Sequence, residues 1–343
     1  MKLCAKKILA RCLCIFFILN FLLLISCDRI ESSHIEEALG TVCLVSLFEQ
    51  GKKSVYKNIF SRIQEIEKLM SVNILSSDIS RINAAAGKTP INVHEDLFYV
   101  IEKAKYFAQL SEGAFDPTVG PLVSLWGIGK NSHIPSQEEI ENLLPLINWR
   151  NIELDASAYT VFLKLEGMAL DLGAIAKGYA ADEAVRIAKQ AGVTRGIIDL
   201  GGNVFVFGEK KDKTLWKVGI QNPNERRGDA IGFLQTTEKT IVTSGIYERY
   251  FEENGKSYHH IFDPFQGYPA QNGLLSVTVI TDNSMNADAL STAVFVLGYK
   301  AGSALIKTLP GTDAVFIFED KSIKTTAGVN FTIMDDSFYF AEE

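Results

Sequence analysis

Four stretches of this chain set chemically capable side chains among glycines in apolar surroundings. They are GAFDPTVGPLVSLWG (113–127), DLGAIAKGYAAD (171–182), TSGIYERYFEENGKSYHHIFDPFQGYP (243–269) and NADALSTA (286–293). In the last, Asp288 and Thr292 are four residues apart, which on a helix puts a carboxylate and a hydroxyl on one face. A helix cap would explain Asp288 alone, and a bond back to a carbonyl would explain Thr292 alone. Together they suit a hard cation: Mg²⁺ takes oxygen ligands and commonly combines few protein oxygens with substrate phosphates. The remaining oxygens must come from elsewhere in the chain.

Asp171 precedes a helix expected from about Gly173, where an acid is also favourable as a cap or against the helix dipole. A helix start built of small residues leaves backbone groups open to a ligand, and Lys177 can meet a phosphate as a point charge. His259 and His260 point to opposite sides if the segment is extended, one inward and one outward. For His260 the plain reading is a core histidine satisfied by backbone, and the functional one a general base, because imidazole accepts protons near neutral pH; His259 has no assigned role. Other chemistries are excluded. There is no G-x-x-x-x-G-K-[ST], H-E-x-x-H or G-x-S-x-G, and LGGN at 200–203 is not a dinucleotide fingerprint. The RGD at 227–229 carries no weight.

The elements that must position these groups are α and β in mixture. TVCLVSLF (41–48) reads as a strand, and Val55, Ile59, Ile63, Ile66 and Met70 have helical spacing over 54–70. Helices are expected over 95–110, 173–191, 287–297 and 300–309, with Gly192 closing the second of these. Ser136 and Glu139 form a capping box before IENLLPLI. NIELDASAYTVFLKLEG reads as a hairpin, while GIIDLGGNVFVFG, WKVGI, TIVTSG, LLSVTVIT and AVFIF are strand-like. Residues 127–137 look like a surface excursion. Hairpins with packed helices indicate an α+β fold with mixed or antiparallel sheets.

The N-terminus has a different purpose. Lys2, Lys6, Lys7 and Arg11 precede an apolar run that ends LISC at Cys27, the pattern of a lipoprotein signal peptide over residues 1–26. An uncleaved anchor is the competing reading, since the apolar run could nearly span a bilayer. Cys27 is then the lipidation site, residues 27–38 a tether, and Asp28 resembles an inner-membrane retention signal. Losing the four basic residues of the leader takes the formal net charge from −7 to −11. So acidic a surface argues against nucleic acid, and it means that a phosphate ligand needs a cation to screen repulsion. Of the five cysteines only Cys43 lies beyond residue 27, in an apolar strand, which leaves no disulfide framework and no Cys-based zinc site.

Taken together, the four stretches, with LGT (39–41) and SSDISRIN (76–83), resemble the ApbE family of flavin transferases from about residue 39 to about residue 330. The resemblance implies a T-fold-like, two-lobed single catalytic unit over residues 39–343. It implies Mg²⁺-dependent transfer of FMN from FAD to a threonine of an acceptor protein, with AMP leaving. Carried over residue by residue, the metal falls to Asp288, Thr292 and the backbone carbonyl of Ala174, and the base to His260. The flavin nucleotide falls to Leu39, Asn73, Ala114, Phe115, Asp116, Asp171, Lys177, Ser244, His260 and Ile261. The implied partners are FAD and acceptor subunits of RNF- or NQR-type electron-transfer complexes, met on the periplasmic side of the inner membrane by a lipid-anchored protein. Two positions depart from the family pattern. Leu39 replaces a methionine common in relatives, a swap of similar size. Asn73 stands where the family usually has an aromatic residue, often tyrosine; losing its stacking area would admit water and give FAD hydrolysis to FMN and AMP. The alternatives are a non-catalytic FAD-binding lipoprotein that stores or delivers flavin, and a purely structural surface lipoprotein.

Overall fold

A computed structural model describes residues 33–48, 51–225 and 228–341. The leader, Cys27 and part of the RGD triplet lie outside the described residues. Among those described, nine strands form one sheet, in the order His34–Ala38, Thr41–Phe48, Arg195–Leu200, Asn203–Phe207, Lys239–Gly245, Leu274–Thr281, Asp313–Phe318, Ser322–Thr325 and Tyr339–Phe340. Neighbours run antiparallel except the last pair, which is parallel.

The central strands read as unbroken apolar runs because both faces of the sheet are covered. Alternate residues divide between two cores. Val242, Val277, Val279, Ala314 and Phe316 face the helical side, and Ile241, Ile280, Val315 and Ile317 face the other. The helices Lys53–Met70, Ala176–Gln190 and Ser284–Lys307 contribute the helical side. A three-stranded sheet of Trp216–Gln221, Ala230–Thr236 and Phe331–Ile333 closes the other face. A third, small core gathers Leu122, Trp126, Ile140 and Phe262, with Phe251, Tyr258 and Tyr268 packed on it. The fold is α+β, as the sequence indicates.

Most elements fall where expected. The hairpin pairs Ile152–Asp155 with Thr160–Leu163, and the helix Glu95–Leu110 spans its expected range. The capping box at Ser136 and Glu139 is formed in both directions. Cys43 is fully buried, and burial pushes its thiol up to about 11. The two helices expected over 287–309 are both present, meeting at a kink at Gly298 (φ 72°, ψ 177°) and together spanning Ser284–Lys307. The helix expected from 173 begins at Ala176 instead, because Ile175 and Ala176 both donate to the Leu172 carbonyl in a tight turn.

Three differences are larger. The expected tether 27–38 overlaps a real strand, His34–Ala38, which pairs antiparallel with Thr41–Phe48 across the turn at Leu39 and Gly40. Its polar composition, HIEEA, belongs to a sheet edge with one face in solvent. The helix Gly120–Trp126 and the strand Ala230–Thr236 have no counterpart among the sequence expectations.

Candidate active site

The site is built where two helices begin. The helices Ala176–Gln190 and Ser284–Lys307 meet at Gly178, where a Cβ would lie 2.3 Å from the Ser284 carbonyl oxygen and 2.6 Å from the Met285 Cα. Only glycine permits that approach. Gly178 is in the first turn, where amides have no partner within their own helix. Its N–H donates to Asp288 Oδ2 at 2.8 Å. In a helix extended backwards that amide would serve the Ala174 carbonyl; here Ala174 lies in the turn before the helix. Asp288 is therefore a cap, as the simpler reading allows, but for a different helix from its own.

The carboxylate is 4% exposed, and burial holds its pKa above the usual range, partly offset by Lys177, the Gly178 amide and Asn203. Lys177 Nζ stands 3.9 Å from Asp288 Oδ1 and donates to the Gly173 carbonyl at 3.0 Å. Asp171 turns on itself, Oδ1 accepting from Gly173 N–H at 2.7 Å. One helical turn beyond Asp288, the Thr292 hydroxyl is 3.2 Å from Ser244 Oγ, which is 2.8 Å from Ser291 Oγ. Asp288, Thr292 and Ser244 are thus on one contiguous surface, with Lys177 and the Gly178 amide beside Asp288; Ala174 lies in the turn before the helix and packs on the main core.

These residues fit a hard cation. Among the described residues no group of three or more His, Cys, Asp or Glu side chains forms a metal site. What is present instead is one buried carboxylate and, one helical turn along, two hydroxyls, all oxygens. A carboxylate this buried, whose nearest cation stands beyond bonding distance, is under-compensated, which a divalent cation would correct.

The two histidines differ in their surroundings. His259 is 5% exposed; its Nδ1 accepts from Ile261 N–H at 3.3 Å and its Nε2 lies 3.0 Å from the Ala270 carbonyl. Both ring nitrogens are used, so His259 is the core histidine, and burial lowers its pKa to about 4. His260 follows the hairpin of Tyr250–Glu253 and Lys256–His259. Its Nδ1 lies 3.1 Å from the Arg249 carbonyl. If Nδ1 carries the proton, Nε2 is left as an acceptor. Burial first, then the charges of Arg249 and Lys177, hold this imidazole neutral, well below the usual range.

The remaining positions form the surrounding loops. Asp116 is 7% exposed, and its carboxylate accepts from Thr118 N–H at 2.8 Å, Thr118 Oγ1 at 2.6 Å and Trp149 N–H at 3.0 Å. Those bonds offset the rise that burial causes in its pKa. Ala114, Phe115 and Ile261 are buried, and their amides are bonded within the protein, to the Ser111 carbonyl, Ser111 Oγ and His259 Nδ1 respectively. The Pro117 carbonyl accepts from Asp171 N–H at 2.9 Å, which sets the 113–119 loop beside the 169–173 loop. Leu39 has φ 53° in the turn to Thr41–Phe48 and packs on the main core. Asn73 is exposed, with Oδ1 accepting from Lys130 Nζ at 2.5 Å.

Sequence reasoning passed over three positioning groups. Asn83 donates to the Leu170 carbonyl at 3.0 Å and accepts from its N–H at 2.7 Å, fastening SSDISRIN to DLGA. Asp182, the last residue of DLGAIAKGYAAD, reaches the start of the helix Ser284–Lys307. Ser284 Oγ bonds to Asn203 Oδ1 at 2.5 Å and to Thr240 Oγ1 at 3.1 Å. Asn83 and Asp182 are polar residues inside SSDISRIN and DLGAIAKGYAAD, and that placement is the signal that could have found them.

The chain is similar to known proteins over nearly the whole of this architecture. The family described as the ApbE family matches residues 39–316. The FAD:protein FMN transferase of Treponema pallidum (strain Nichols) is 37% identical over 317 residues, covering 87% of this chain and 88% of that protein. The crystal structure of the ApbE protein of Thermotoga maritima superposes with a TM-score of 0.80 at 35% identity, covering 86% of this chain and 96% of that one. The flavin transferase ApbE of Vibrio cholerae gives a TM-score of 0.75 at 26% identity, covering 90% and 98%. With its matched span, its fold and its motifs in agreement, this chain belongs to the ApbE family.

Proposed function

We propose that this protein is an FAD:protein FMN transferase. The observation that carries the reading is the meeting of Asp288, Lys177, Thr292 and Ser244 at the Gly178 crossing. Asp288, Thr292 and the Ala174 carbonyl would hold Mg²⁺, which when bound neutralises phosphoryl charge and stabilises a leaving phosphate. Lys177 adds a fixed positive charge for the pyrophosphate. The main-chain loops at 114–116 and 171–174 orient the nucleotide.

His260 moves the proton. Its Nε2 accepts the hydrogen of the acceptor threonine hydroxyl as that oxygen bonds to the FMN phosphorus; the bond to the AMP oxygen breaks, and AMP leaves with the electron pair. A neutral imidazole is the form this needs. The cations that depress its pKa are the ones an anionic dinucleotide would counter, so the base strengthens as substrate binds.

FAD hydrolysis is part of the proposal. Asn73 offers a small amide, turned to Lys130, where an aromatic face would exclude water. Lipid anchoring at Cys27, a periplasmic location on the inner membrane and RNF- or NQR-type acceptors complete the reading. The test incubates the protein with FAD, Mg²⁺ and a periplasmic domain of such a subunit. AMP release with an added FMN mass on an acceptor threonine is expected. AMP release without that mass would leave only the hydrolase. Bound FAD with no AMP released would overturn the enzyme in favour of a flavin carrier.

A further inference from the structure

Asp182 stands two helical turns from the cation-facing end of the site, on the helix Ala176–Gln190, and its carboxylate is fully committed to another helix. Oδ1 accepts from Ser284 N–H at 2.8 Å, and Oδ2 accepts from Met285 N–H at 2.9 Å and from Asn283 Nδ2 at 2.8 Å. It therefore caps the start of the helix Ser284–Lys307. Asp288, on that second helix, caps the start of Ala176–Gln190 through the Gly178 amide. Each helix supplies the acid that satisfies the other's exposed amides, and the two sets of bonds flank the Gly178 contact. Asn283 also caps its own helix, Oδ1 accepting from Asn286 N–H at 2.9 Å, while Ser284 Oγ ties that helix start to the sheet through Asn203.

We infer that this reciprocal clamp is what sets the distance between the Ala174 carbonyl and the Asp288–Thr292 face, and that Asp182 is a positioning residue for the cation site. This rests on the metal assignment proposed above. Both oxygens of Asp182 are engaged by donors at the start of the other helix, so it is assigned no ligand role. It acts by fixing the register of the helix that carries Asp288 and Thr292, and its loss loosens the site without removing an oxygen from it.

The test uses FAD fluorescence in the full-length protein, titrated with Mg²⁺ after EDTA treatment and read, before AMP accumulates, as the metal-dependent change in signal. Asp182→Asn keeps the size of the side chain but replaces an acceptor with a donor facing an amide. It should raise the Mg²⁺ midpoint about tenfold or more while FAD affinity in EDTA stays within about twofold. Asp182→Glu should recover part of the shift. Should Asp182→Asn fail to fold, Asn283→Ala removes one donor to the same carboxylate, together with the helix's own cap, and should move the midpoint the same way by a smaller factor. A folded Asp182→Asn or Asn283→Ala protein with an unchanged midpoint, alongside an Asp288→Ala protein that has lost the metal response, overturns the clamp alone. An unchanged response in Asp288→Ala would instead overturn the metal assignment.

Discussion

Replacing Gly178 by alanine tests the helix crossing with a single methyl group. The added Cβ would lie 2.3 Å from the Ser284 carbonyl oxygen and 2.6 Å from the Met285 Cα and the Ser284 carbonyl carbon. These are backbone atoms, so no rotamer change relieves the overlap. Ordinary contact needs the helices to part by about 1 Å. Overpacking of this kind costs about 1–3 kcal/mol. The same movement stretches the 2.8 Å bond from Gly178 N–H to Asp288, a charge-assisted bond worth about 1.5–3 kcal/mol. Alanine's better helix propensity returns about 1 kcal/mol. The net expectation is a loss of about 1.5–5 kcal/mol, read as a lower denaturant midpoint with an unchanged slope. A displacement of about 1 Å at the reacting centre should also reduce AMP release at saturating FAD roughly a hundredfold. A Gly178→Ala protein as stable and as active as the parent would refute the crossing and the site built on it.

Four further outcomes are expected. With His260 neutral well below the usual imidazole range, kcat/KM for FAD should stay flat as pH falls from about 8 to about 6, because the active form gains its proton only at lower pH; an acid limb centred at about 6.5 or above would contradict this. His260→Gln should abolish transfer to the acceptor while FAD binding persists, as followed by fluorescence. Arg62→Met removes the partner of Asp96 at 2.6 Å and of Glu183 at 2.9 Å; because Glu183 keeps Arg186 at 2.7 Å and Asp96 keeps the Tyr179 hydroxyl, a loss of about 1–3 kcal/mol is expected in a urea titration. Asn73→Tyr should lower the ratio of free FMN to acceptor-bound FMN, measured by chromatography beside intact-protein mass.

The parts of the fold legible in the sequence are those in which one physical signal dominates. The helix Glu95–Leu110 shows apolar periodicity, and Ser136 with Glu139 spells out its own cap. The edge strand His34–Ala38 is illegible as a strand because an edge needs few apolar residues, and HIEEA looks like a linker. Gly120–Trp126 begins with glycine and proline, which read as loop until Pro121 is seen within the first two helical positions. At the site, residue type directs attention to Asp288, Thr292 and His260. It could not reveal that Asp288 caps a helix more than a hundred residues away in sequence, nor that Asp182 caps the helix of Asp288 in return, since both depend on how two helices cross. The burial of Phe115 likewise follows from tertiary packing and not from its neighbours in sequence.

His260 lies where the chain passes between two separately packed regions: Ile261 belongs to the main core, and Phe262 to the small one around Trp126. The oxygens assigned to the cation all sit on the main-core side. The proposed base and the proposed cation ligands are consequently mounted on different foundations. On the proposed reading, damage to the Trp126 cluster, by cavity-forming substitutions such as Phe262→Ala, would misalign the imidazole yet spare cation affinity, so the two could be lost, and selected, independently.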